Sequence, residues 1–165
     1  MTNIANSLLI EFNSEVNASC KCLERISEST WEFKPHPKSM AMGYLVLLVA
    51  EIPLWIAVMI EKGDIDFVTF KHAQPKNTND LLVHFWENVS KARNALQNAT
   101  EADINKTFYL RAGGKEIFHA SNAEYIGPTI NHWVHHRGQL TVYMRLCDIA
   151  VPSIYGPSAD DNPYK

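Results

Sequence analysis

Three of the seven histidines of the chain, His132, His135 and His136, fall within five residues of the stretch Asn131 to Leu140, N-H-W-V-H-H-R-G-Q-L. On an α-helix, His132 and His136 leave the same face one turn apart, so their imidazoles can close on one metal ion or serve as acid and base. Gln139, three residues on, falls on that stripe. Tyr125 and Tyr143, seven residues to either side of the pair, extend it to a strip roughly 60° wide. A second chemical group, Glu51, sits inside an apolar run from Met40 to Ile60. A carboxylate there is either an ion-paired or solvated group at a helix edge, or one held in a cavity with a raised pKa. The candidates for catalysis are therefore Glu51, His132 and His136. Each has a plain alternative, since paired histidines on a helix also occur as surface polarity or as hydrogen-bonded core residues.

The elements that must carry these residues are helical. Ile4, Leu8, Phe12, Val16, Leu23 and Ile26 recur at helical steps and predict a first helix over about residues 2 to 28. Pro35 and Pro37 then make an extended connection, and Ser39 is the expected N-cap of a second helix. That helix, Met40 to Ile60, has the length of a membrane span, but an all-round apolar helix bearing a carboxylate is equally the centre of a bundle, which is the preferred reading. Pro53 predicts a kink or local irregularity. Residues 64 to 77 read as a connection long enough to cross the bundle. Thr78 is the expected cap of a third helix whose face is Leu81, Leu82, Phe85, Trp86, Val89, Ala92 and Leu96. Around Ala112-Gly113-Gly114 the pattern suggests a small hairpin. Ser121 and Glu124 then form a capping box that opens the last helix, which runs to about Asp148. Within it, Gly138 predicts a close approach by a neighbour, and Arg137 an ion pair or packing contact.

Composition narrows the classes. A chain of 165 residues with 46% hydrophobic and 20% charged side chains reads as one ordinary globular domain, residues 1–165, that needs no metal to fold. A formal net charge of -3 with no basic cluster argues against nucleic acid as a partner. Cys20, Cys22 and Cys147 follow no disulfide framework, and the N-terminal residues lack a leader pattern, so a cytoplasmic location is expected. The sequons at Asn17, Asn88, Asn98 and Asn105 then read as chance matches.

Four segments in order, Lys34-Pro35-His36-Pro37-Lys38-Ser39, Ala50-Glu51-Ile52-Pro53, His132 through Leu140, and Pro152-Ser153-Ile154-Tyr155-Gly156-Pro157-Ser158, make the chain resemble the DinB-like (YfiT-like) superfamily. The resemblance covers nearly the whole sequence. It implies an all-α, four-helix bundle, up-down-down-up, with a long crossover between the second and third helices, a small hairpin or loop before the fourth, and commonly a homodimer. It also implies a divalent metal, Zn or Ni, held by one histidine of the second helix and two of the fourth. His132 and His136 match the latter two; the position of the third, five residues before the proline, is Leu48. The metal site is thus degenerate, with Glu51, one turn on from Leu48, as the substitute that would complete a His-His-carboxylate set. Tyr44, Leu48, Tyr125, Gln139 and Tyr143 are the expected pocket lining. Two functions follow as expectations: a relative of metal-dependent hydrolases or thiol transferases with a diminished metal centre, or a noncatalytic small-ligand-binding or structural dimeric bundle without metal. Neither involves a membrane or nucleic acid.

Overall fold

A computed structural model describes residues 2–165. Its helices are α1 (Asn3–Leu23), α2 (Met42–Glu61), α3 (Thr78–Asn98), the short α4 (Glu101–Asn105) and α5 (Asn122–Leu146), with strands β1 (Asp64–Asp66), β2 (Thr107–Ala112) and β3 (Lys115–Ser121). Each of α1 and α2 packs against both α3 and α5. The start of α3 lies at the end of α1, where Thr78 Oγ1 donates to Ile26 O at 2.8 Å. The start of α5 lies at the end of α2, where Asn122 Nδ2 donates to Met59 O at 3.2 Å.

The apolar stripe of α1 buries Leu8, Phe12, Val16 and Leu23, but leaves Ile4 exposed. The helix is shorter than the periodicity suggests: it ends at Leu23 with Glu24 as C-cap, and the chain continues through a 3-10 turn, Glu28–Thr30, while Ile26 still reaches the core. Burial follows the apolar pattern beyond the point where the backbone ladder stops.

α2 is long and apolar enough to cross a membrane, yet 67% of its most apolar window is buried inside the protein. It starts two residues later than expected, with Ala41 as N-cap and no side-chain cap from Ser39. Gly43 is required there, because a Cβ would stand 2.9 Å from Trp31 Cβ. Pro53 lies inside the unbroken helix. Having no N–H, it leaves Val49 O without its usual helical donor, and the indole Nε1 of Trp133 on α5 donates to that oxygen at 2.8 Å. One residue on, Ala50 O accepts from Asn88 Nδ2 of α3 at 3.0 Å. The proline thus opens one acceptor to α5, and the carbonyl beside it keys α2 to α3. Asn88 is fully buried, so its sequon is a packing residue.

The segment 64 to 77 is more than a connection. β1 pairs in parallel with β2, Ile65 opposite Leu110, and β2 pairs antiparallel with β3, giving a three-stranded sheet in the order β1-β2-β3. Gly113 and Gly114, with φ of 60° and 80°, supply the left-handed pair a tight hairpin needs. Asp66 accepts from both glycine amides, at 2.9 and 2.6 Å, tying β1 to the hairpin turn. α3 is capped by Asn77, whose side chain accepts from Asp80 N, with Thr78 as its first residue. On the expected face Trp86 is part-exposed, at 42%. The capping box of Ser121 and Glu124 is present at the start of α5. Gly138, expected at a close contact, has open space where a Cβ would be.

Candidate functional site

α5 runs through Pro128 without a break and carries His132 and His136 on one face. Their Nε2 atoms are 2.7 Å apart. Desolvation is the chief cause that lowers both pKa values below the ordinary histidine range; nearby imidazoles add to it for His132, whereas for His136 the Gln139 bond works against it. Two neutral imidazoles at that distance share one proton, one ring donating and the other accepting. Gln139 Oε1 lies 2.9 Å from His136 Nδ1, so with this amide orientation His136 donates through Nδ1 and accepts at Nε2. His132 must then carry its proton on Nε2, which leaves its Nδ1 as an unprotonated base. His132 remains solvent-exposed as a residue, while its ring stands 5.7 Å from that of Trp55.

His132 lines a cavity of about 110 Å³ between α2, α5 and the sheet, together with Trp55, Met59, Phe108, Leu110 and Tyr125 among others. No carboxylate, ammonium or guanidinium lines it. Tyr125 is fixed by stacking on Phe108 at 5.6 Å and by Phe118 at 4.8 Å. The sheet, which periodicity barely signalled, thus supplies one wall.

Glu51 is built into a different cluster. It is 1% exposed, and its carboxylate meets His72 Nδ1 at 2.6 Å and accepts from Ala73 N at 2.7 Å, with His84 Nε2 at 3.5 Å. These partners come from the crossover and from α3. No hydrogen bond or ion pair joins Glu51 to His132 or His136. Tyr44 goes with this cluster, its ring 6.0 Å from that of His72. Leu48 is buried, and Tyr143 donates to Met40 O at 3.2 Å. Of the expected lining, Tyr125 reaches the cavity and Gln139 reaches the histidine pair. The sequence reading missed Trp55, Met59, Phe108 and Leu110, and missed His72 as the partner of Glu51. The Trp-x-x-x-Met spacing on one face of the apolar helix was the only signal for the first two.

The donor set does not fit the three-ligand metal centre that the resemblance implies. Ligand nitrogens of a tetrahedral zinc site stand about 3.3 Å apart, wider than the proton-sharing contact seen here. The third position is the aliphatic Leu48, and the oxygens of Glu51 are engaged elsewhere. Among the described residues, no group of three or more His, Cys, Asp or Glu side chains is arranged to hold a metal ion.

YjoA of Bacillus subtilis (strain 168), an uncharacterized protein, is 25% identical over 142 residues, which is 86% of this chain and 89% of YjoA. YrdA of the same organism is 53% identical over 32 residues, 19% of each chain. The crystal structure of the DinB-like YjoA is similar in fold, with a TM-score of 0.69 at 22% identity over 87% of this chain and 94% of that one. A DinB-like protein from Bacillus cereus gives 0.67 at 19% identity over 91% and 97%. A DinB family structure from Exiguobacterium sibiricum gives 0.65 at 15% over 90% and 94%. The DinB family model itself matches residues 1–163, and the chain belongs to the DinB family.

Proposed function

We propose that the protein acts on a small neutral molecule in the cavity between α2, α5 and the sheet, with His132 Nδ1 as a metal-independent general base. The observation that carries this reading is the 2.7 Å contact of His136 with His132, a residue of the cavity wall. The Gln139-His136-His132 chain orients the ring and fixes the tautomer that leaves Nδ1 free. Hydrolysis of a small ester is the reaction class it supports. His132 Nδ1 takes a proton from water as the water oxygen bonds to the acyl carbon; the ester C–O bond then breaks, and the same proton passes to the departing oxygen. The uncharged lining favours such a substrate over a charged low-molecular-weight thiol. The helix directions, with α3 starting where α1 ends and α5 starting where α2 ends, support an up-down-down-up order.

Phenyl acetate hydrolysis in the presence of EDTA tests the proposal. His132→Ala is expected to lower the rate at least tenfold, in line with the contribution of a positioned base, about 100-fold or more at full efficiency. His36→Ala, on the exposed connection before α2, should leave it unchanged. Equal rates in wild type and His132→Ala would overturn the catalytic role and leave the noncatalytic binding reading. Activity abolished by EDTA would restore the metal-dependent one.

A further inference from the structure

We propose that His72 is a second reactive centre of the chain, a nucleophile whose Nε2 takes an acyl group from small activated acyl donors, with Glu51 as its positioning residue. The proposal is independent of the cavity and of His132. Glu51 is 1% exposed; its Oε2 stands 2.6 Å from His72 Nδ1, and its Oε1 accepts from Ala73 N at 2.7 Å. A carboxylate so placed accepts the Nδ1 proton of the ring, which leaves Nε2 as an unprotonated nitrogen. The ring points its Nδ1 edge at a carboxylate that water does not reach, yet the His72 side chain is 35% exposed. Nε2 lies on the far side of the ring, and no hydrogen bond within the described residues engages it. Phe70 and Tyr44, with rings 5.3 and 6.0 Å away and steeply inclined to it, hold the imidazole in this pose.

His84 does not compete for the carboxylate. Its Nε2 is 3.5 Å from Glu51 Oε1 but 3.0 Å from Asn88 Nδ2, and that amide is oriented by its bond to Ala50 O. His84 Nε2 therefore accepts from Asn88 and has no proton to offer Glu51. His119 supplies a comparison within the same chain, since its Nδ1 lies 2.7 Å from Glu116 Oε1. Those two side chains are 62% and 42% exposed, so water screens the pair. Positive charge formed on His72 would instead face a carboxylate in a water-poor site, where such a bond is strongest.

Acyl transfer forms that charge. The Nε2 lone pair adds to the acyl carbon, and the leaving group departs with the electrons of its bond. The ring becomes an Nε2-acyl imidazolium whose Nδ1–H stays bonded to Glu51. Water then adds to the acyl carbon; the C–N electrons return to Nε2, the water oxygen stays with the acid product and one proton goes to solvent. Attack by a neutral imidazole is productive where the leaving group is expelled more readily than phenolate. Anhydrides and acyl phosphates are thus the donor class, and phenyl acetate is left to His132.

Diethyl pyrocarbonate, an anhydride, is the probe, because the carbethoxy group it leaves on histidine is slow to hydrolyse. The full-length protein is treated near neutral pH, and each histidine is followed by peptide mass spectrometry. His72, although less exposed, is expected to react about tenfold faster than His119, the gain from a charge-assisted bond that strengthens in the transition state. Glu51→Gln should slow His72 by a similar factor and leave His119 unchanged. A merely structural Glu51 would give the opposite sign, since freeing the segment between β1 and α3 would expose His72 and speed its labelling. Equal rates at His72 and His119 in the wild type, or faster labelling of His72 in Glu51→Gln, would overturn the proposal. The wild-type comparison decides even where the variant does not fold. His132→Ala should leave the His72 rate unchanged, so a failed hydrolysis test and a failed labelling test are told apart.

Discussion

His136 is buried and neutral while His132 keeps solvent contact, and this asymmetry makes the pair sensitive to acid. Both folded-state pKa values lie below the ordinary value of 6.5, chiefly through desolvation. The unfolded chain therefore binds more protons in the window from 6.5 down to the folded values. The associated stability is complete above about 6.5 and is lost as pH falls through that window. Replacing His136 with Gln removes one such group and relieves its neighbour. The urea midpoint of the wild type should thus drop more between pH 7.5 and 5.0 than that of His136→Gln, although the variant is less stable at pH 7.5. Parallel drops would show that the pair does not set the acid limit. At this scale the sequence was informative about helix-local chemistry, because His132, His136 and Gln139 are neighbours by spacing alone. It was uninformative about Glu51, whose partners His72 and Ala73 lie 21 and 22 residues away and are fixed only by the path of the crossover.

At the level of elements, α2 organises the site by being imperfect. Pro53 frees Val49 O, and Trp133, the residue next to His132, occupies it. Trp133→Phe keeps the ring stacked on Phe12 at 5.3 Å but deletes the donor. The loss should be about 1–3 kcal/mol in chemical denaturation, the cost of leaving a buried carbonyl unpaired. A midpoint equal to the wild type would mean that water replaces the indole. Glu51 does comparable work on the same helix, holding the segment between β1 and α3 by its two oxygens. Glu51→Ala should raise amide hydrogen exchange at Ala73 and along residues 67 to 77, while leaving α5 protected. Protection lost equally in α5 would instead make Glu51 part of one cooperative core. α1 and α3 were readable because their apolar faces repeat over 21 residues each, about six turns. β1, three residues long, has no periodicity to read. α4, by contrast, carried the capping box of Thr100 and Asp103 in plain sight, before a helix too short to show a stripe.

Across the whole molecule, one buried charge cluster joins both ends of the chain. Arg137 on α5 is 2% exposed and sits 2.6 Å from Glu15 Oε2 of α1; it donates also to Glu15 O at 3.1 Å and to Ser19 Oγ at 3.3 Å. Tyr155 of the C-terminal segment closes the triangle, its hydroxyl 2.6 Å from Arg137 Nη2 and donating to Glu15 Oε2 at 2.8 Å. Desolvation first, and then the bond to Glu15, keeps the phenol's pKa raised, so it remains the donor. Tyr155 is otherwise 71% exposed. It is therefore held by its hydroxyl and the guanidinium beneath it rather than by apolar burial. A graded series follows. Arg137→Met strands the Glu15 carboxylate and should cost about 3–5 kcal/mol. Tyr155→Phe removes one neutral donor and should cost about 1 kcal/mol. The pair Glu15→Leu with Arg137→Met should recover most of the first loss, because apolar packing of similar volume often equals a buried ion pair. Urea unfolding of the four proteins checks the order, and limited proteolysis checks the place, with cleavage after Tyr155 accelerated in Arg137→Met. If the double variant were as unstable as Arg137→Met, the cluster would act through the backbone contact to Glu15 O and the ordering of the C-terminal segment, rather than by neutralising a buried charge.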